Sequence, residues 1–179
     1  MDGSFVVLLN KPRNKVFLVF RSDYPVWVLT GGGIEKGESA SKAAIREAKE
    51  ESNFEVKIIR SVGVYNVGNK SEPNNKIHFF EGRRLGGKFK PEYPRCMGKW
   101  FDVDKLPARM TSFSKRAIDD TLNQTRNYIE DKHSLFHLSD LKFFILEPRA
   151  TIRYLLKTRK ERLLHSKDIG VPAETDEAR

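Results

Sequence analysis

Three glutamates crowd the end of one short amphipathic segment, an arrangement that folding alone does not favour. Ser39 can cap a helix running from about Ser39 to Glu51, and Asn53, which tolerates the left-handed conformation, can end it. At about 100° per residue, Ala40, Ala43, Ala44, Glu47, Glu50 and Glu51 fall on one side, with Lys42, Arg46 and Lys49 on the other. Glu47–Glu50 and Glu47–Glu51 are like-charge neighbours one turn apart, each costing about 0.2–0.5 kcal/mol. They also stand at the negative end of the helix dipole, a further penalty of roughly 0.3–1 kcal/mol. A divalent cation would reverse both penalties, and magnesium prefers hard carboxylate oxygens. The plainer alternative is a solvated helix face on which Arg46 and Lys49 neutralise the acids.

The loop before the helix, Gly31-Gly32-Gly33-Ile34-Glu35-Lys36-Gly37-Glu38, favours the first reading. It is a flexible strand-to-helix turn, where phosphates often lie, and it brings a further acid. It is not a P-loop, because Glu38 stands where the phosphate-binding lysine belongs. The glycine spacing also fails the dinucleotide fingerprint, and no parallel βαβ pattern follows.

Taken together these residues resemble the Nudix hydrolase signature. Gly32 is followed after five residues by Glu38, and after seven more by Arg46-Glu47-Ala48-Lys49-Glu50-Glu51-Ser52-Asn53-Phe54. Trp27-Val28-Leu29-Thr30-Gly31-Gly32-Gly33 upstream and Trp100-Phe101-Asp102 to Leu106-Pro107 downstream are similar to the family too, so the likeness covers about residues 4 to 130. Asn53 replaces the usual Gly, a mild change because Asn is the next best left-handed cap. Thr30 stands where Pro is common, and Ala48 is a small apolar choice. Many members carry another catalytic Glu before the strand that holds Trp100; here Gly98-Lys99 precede that tryptophan, and the nearest upstream acid is Glu92.

The resemblance implies an α+β fold, a mixed sheet in an α/β/α sandwich. It implies that Glu47, Glu50 and Glu51, with a backbone carbonyl near Gly32, hold Mg2+, for which Mn2+ could substitute. Such ions neutralise charge on the leaving group and activate a water. Glu50 or Glu47 would take the water's proton, while Arg46 and Glu38 pair to fix the loop on the helix. The implied reaction is water attack at phosphorus in the phosphoanhydride of a nucleoside diphosphate linked to another group. A non-catalytic module binding a nucleotide or RNA is the rival.

Elsewhere the sequence reads as strands at Phe5–Leu9, Lys15–Phe20, Val26–Leu29, Glu55–Tyr65, Lys76–Arg83 and Met97–Val103, and a second helix at Ser112–Ile129. The catalytic domain is expected over residues 1–131. A C-terminal helical extension follows over 132–167, with a basic helix starting at Pro148, and then a frayed tail over 168–179. Trp27 could stack on a nucleobase, Arg21 could meet phosphate, and Phe80, next to Phe79 on one strand, could face a substrate cleft. Trp27 and Trp100 could equally be half-buried sheet residues, the reading preferred for Trp100.

A net charge of +9 points to an anionic partner: a nucleotide-derived substrate, with the 5′ end of RNA as the larger alternative. With 39% apolar and 32% charged residues and no long apolar run, a globular chain without stable membrane association is expected. The single Cys96 excludes an internal disulfide and fits a cytoplasmic setting. The four histidines show no metal-binding spacing. A homodimer is compatible with the sequence, which does not fix the oligomeric state.

Overall fold

Strand β1 (Gly3–Leu8) explains the architecture, because its consecutive apolar residues are buried on both faces. In a strand, neighbours point to opposite sides. Val6 and Leu8 join Phe17, Val19, Ala44, Ala48, Phe54 and Val56 in one cluster. Val7 and Leu9 join Val16, Leu18, Leu29, Tyr65, Phe79, Ala117 and Ile118 in another. The first cluster lies under helix α1 (Ala40–Ser52) and the second under helix α2 (Ser112–Leu122), so the helices cover opposite faces. This is the expected α/β/α sandwich.

The computed structural model describes residues 2–21, 26–67, 75–93, 96–124 and 127–129. The remaining strands are β2 (Lys15–Phe20), β3 (Trp27–Val28), β4 (Thr30–Gly33), β5 (Glu55–Asn66), β6 (Lys76–Gly86), β7 (Met97–Asp102) and β8 (Asn127–Ile129). Two sheets form, in the orders β4-β1-β6-β5-β8 and β3-β2-β7. The larger is mixed: β1 runs parallel to β6 and antiparallel to β4, and β5 runs antiparallel to β6 and parallel to β8.

Two expectations are corrected. The strand read at Val26–Leu29 is the two-residue β3, and the glycines after it, read as a strand-to-helix turn, form a further strand, β4, in the other sheet. Close approach explains it. A Cβ on Gly31 would lie 2.4 Å from the Ser4 carbonyl oxygen and 2.6 Å from Phe5 Cα, so β4 meets β1 only because that residue has no side chain.

The second helix stops at Leu122 instead of reaching Ile129. The Thr121 carbonyl, near its end, accepts from the guanidinium groups of Arg13 (3.0 Å) and Arg60 (2.8 Å). Gln124 then turns left-handed at φ 53°, and Tyr128 and Ile129, read as the last residues of the helix, belong to β8 beside β5. The expected extension over 132–167 and the tail over 168–179 lie outside the described residues.

Candidate active site

Helix α1 is held at both ends by its own sequence. The Ser39 hydroxyl accepts from the Lys42 N–H, and Ser4 Oγ donates to the Ala40 carbonyl across 2.6 Å. At the other end Asn53 adopts φ 59°, ψ 21°, its N–H donates to the Lys49 carbonyl, and its side chain donates to the Lys88 carbonyl. Ala43, Ala44, Ala48 and Ser52 form the buried stripe, and small side chains let the helix settle close onto β1 and β4. Glu47 and Glu51 flank that stripe half-buried, and Glu50 is exposed.

The glycine strand and the acids are in direct register. Gly31 N–H donates to Glu51 Oε2 at 3.0 Å. A Cβ on Gly32 would stand 2.4 Å from Glu47 Oε1, so the backbone passes directly over that carboxylate. Thr30 shares the strand face of Gly32 by alternation, and its buried hydroxyl has no hydrogen-bond partner among the described residues.

Arg46 ties the preceding loop to the helix. Its Nε and Nη2 reach the two oxygens of Glu38 at 3.1 and 3.0 Å, and Nη2 also donates to the Gly33 carbonyl at 2.9 Å. Its Nη1 meets Glu47 at 3.0 Å and Glu50 at 3.1 Å. Arg46 is therefore folded back among the acids instead of lying on the far face with Lys42. The bidentate bond holds the Glu38 carboxyl below its ordinary range and the guanidinium above its own.

Burial has the opposite effect on the other acids. It raises Glu47 above its ordinary value even against the bond from Arg46, with Glu50 and Glu92 adding repulsion. Glu51 is pushed up to about 8, chiefly by burial and further by Glu47 and Glu92, while Gly31 N–H and the charge of Arg21 oppose the shift.

Among the described residues no three histidine, cysteine or acidic side chains close on one point tightly enough to hold a metal as they stand. Arg46 occupies the space between Glu38, Glu47 and Glu50. The donor set still fits a hard divalent ion. Glu47 and Glu51 are carboxylates withdrawn from water and mutually repelling, a glycine backbone passes over one of them, and an orphaned hydroxyl shares that side.

Two acids thus converge beneath the glycine strand, with Glu50 at the rim and Glu38 held through Arg46. Arg21 is exposed but near enough for its charge to stabilise the Glu51 carboxylate. Glu92, whose role the sequence left open, is near enough to act on both Glu47 and Glu51, and the Tyr93 hydroxyl bonds to it. No local pattern places it there; the turn before β7 does.

The remaining candidates are not gathered at the acids. Trp27 is half-buried, with its ring 5.3 Å from Phe20 and 4.7 Å from Phe101. Phe80 packs on the cluster beneath α1, while Phe79 is fully buried on the other face. The two faces read for this pair are both core-facing.

The chain is similar to several known proteins. A Bacillus subtilis (strain 168) protein, provisionally assigned as an 8-oxo-dGTP diphosphatase, is 35% identical over 68% of this chain and 80% of its own length. The NAD-capped RNA hydrolase NudC of Vibrio atlanticus (strain LGP32) is 27% identical over 74% of this chain, which spans only 46% of that protein. An ADP-ribose pyrophosphatase structure from Streptococcus suis 89-1591 superposes with a TM-score of 0.55 at 23% identity, over 72% of this chain and 95% of that one, a likeness of fold. The NUDIX domain model matches residues 2–121, taking in β1, the glycine strand, the acidic helix and all but the last residue of α2, and the chain belongs to the NUDIX domain family.

Proposed function

We propose that this Nudix pyrophosphohydrolase cleaves the phosphoanhydride of a nucleoside diphosphate joined to a second group, with a divalent metal bound at α1. The observation that carries the reading is the Gly31–Gly32 backbone laid across the Glu51 and Glu47 carboxylates. Glu47, Glu51 and the carbonyl near Gly32 would hold the ion, with Glu50 completing the set from the rim. Magnesium there would neutralise charge on the diphosphate and make a bound water more acidic.

The protein's own groups do the rest. A carboxylate, Glu50 or Glu47, accepts a proton as the water oxygen bonds to phosphorus. The bridging P–O bond breaks, and its electron pair leaves with the second phosphoryl group. A nucleoside monophosphate and a phosphorylated fragment result. Arg46 positions the site, since it fixes Glu38, the Gly33 carbonyl and Glu47 in one arrangement. Arg21 adds positive charge beside Glu51, where an anionic substrate would approach.

The test is a panel of nucleoside diphosphate derivatives, including oxidised nucleoside triphosphates and 5′-capped RNA, assayed with magnesium and manganese and scored by product identity. Glu50→Gln should abolish turnover while the thermal midpoint stays near that of the parent. Metal-independent turnover, or full activity in that variant, would overturn the assignment. A binding module would retain affinity and release no product.

A further inference from the structure

Beyond the C-terminal end of β1 lies an open groove of about 440 Å³, lined by Asn10, Lys11, Arg83, Arg84, Leu85 and Trp100 among others. It arises because β1 is shorter than β6. Their parallel pairing ends at Leu8–Gly82, while β6 continues to Gly86. Past that point the described residues of β6 pair only with β5, so its other backbone edge fronts the groove. Across the gap stand the β1–β2 turn, which carries Lys11, and Trp100 on β7.

Charge and chemistry here are one-sided. Among the described residues neither Lys11 nor Arg83 has a carboxylate partner. Lys57 stands directly opposite Arg83 in the β5–β6 register, a like-charge pair that costs stability. Arg84 donates to the Gly86 and Gly87 carbonyls and lies over the Phe54 ring, and among the described residues it too has no carboxylate partner. The acid at the rim is Glu55, against Gly86. Trp100 is half-buried on Phe17, ring centroids 5.4 Å apart, and lines the groove. Cations, an open strand edge and an indole together match a ligand with both phosphate and a flat ring.

We propose that this groove is a second binding site for a nucleoside phosphate, separate from the acids of α1 and independent of the hydrolytic reading. The ligand's phosphate meets Lys11 and Arg83 across the open edge, and its base meets Trp100, while Arg84, on the opposite face of β6, stays on the Gly86 and Gly87 carbonyls and the Phe54 ring. A free nucleotide and a single-stranded RNA segment offer the same chemistry. A strand-like peptide would use the edge but not the uncompensated cations, so the charge favours the nucleotide.

The full-length chain is titrated in EDTA with AMP and with a 5′-phosphorylated RNA pentamer, read by tryptophan fluorescence and by heat of binding. EDTA removes metal-bridged binding at α1. At least one probe should bind, and Lys11→Glu with Arg83→Glu should weaken it tenfold or more with an unmoved thermal midpoint. Trp100→Phe should weaken it less and lose part of the fluorescence change, whereas Glu50→Gln should leave the affinity as it is. A pentamer binding tenfold tighter than AMP, with a steep salt dependence, identifies a polynucleotide; equal affinities identify the free nucleotide. Absence of binding by both probes, or affinity untouched by charge reversal, would overturn the proposal.

Discussion

Gly31 and Gly32 are adjacent and lack a side chain for different reasons, and substitution should separate them. A methyl group on Gly31 meets the backbone of Ser4 and Phe5, which cannot move without parting β4 from β1. On Gly32 its nearest contacts are the carboxyl end of the Glu47 side chain, which can swing aside. Gly31→Ala should therefore destabilise by about 1–3 kcal/mol through overpacking and strain. Gly32→Ala should melt close to the parent yet lose ten-fold or more in metal affinity and turnover, because Glu47 is displaced. Equal melting of the two variants would contradict this division. Glu81 supplies a second residue-level case. Its side chain is 5% exposed and bonds to both Arg13 and Arg60, whose guanidinium groups also hold the Thr121 carbonyl. Glu81→Ala should cost about 3 kcal/mol in denaturant unfolding, near the low end for a broken buried pair because Arg13 is partly open to water. The Glu81 pairing was not visible in the sequence. Glu81 lies 68 residues from Arg13 and 21 from Arg60, and nothing local marks such partners.

At the scale of elements, local chemistry decided what could be read. The limits of α1 were legible because Ser39 and Asn53 carry capping chemistry in their own side chains. That makes the cap a prediction: Asn53→Ala should cost about 1–2 kcal/mol, because Ala meets the left-handed strain without the side-chain hydrogen bonding that offsets it for Asn. Asn53→Gly should stay within a few tenths of a kcal/mol of the parent, losing only the side-chain bond to the Lys88 carbonyl. Thermal midpoints of the two variants check the order. The end of α2 was not legible, because Tyr128 and Ile129 suit either a helical stripe or a strand. What decides is the Thr121 carbonyl, engaged by Arg13 of the β1–β2 turn and Arg60 of β5. The sheet switch at Leu29 was hidden for a like reason. A glycine run reads as a loop until another strand needs the space beside it. The acids were the reverse case, since their spacing on one helix face is local, and only the approach of Glu92 and Arg21 required the tertiary fold.

For the molecule as a whole, those acids couple folding, protons and metal. Burial raises the Glu51 carboxyl to about 8 in the folded chain, from an ordinary value of 4.5. The folded state thus holds that proton more tightly than the unfolded state. Its contribution is fully present below pH 4.5 and is lost as pH rises through about 8. Without metal, stability should therefore decline across this window, by an amount on the order of a few kcal/mol. Glu47, raised by the same burial, acts in the same direction. A cation that binds the carboxylates must displace their protons, so its affinity should climb over the same range. Thermal midpoints in EDTA and in magnesium should then diverge as pH increases from 5 to 8.5, with little difference at the acidic end. Glu51→Gln should remove most of that divergence, because an amide neither titrates nor attracts the ion. A magnesium effect of equal size at every pH would separate metal binding from Glu51 and leave the cation bound somewhere other than beneath the glycine strand.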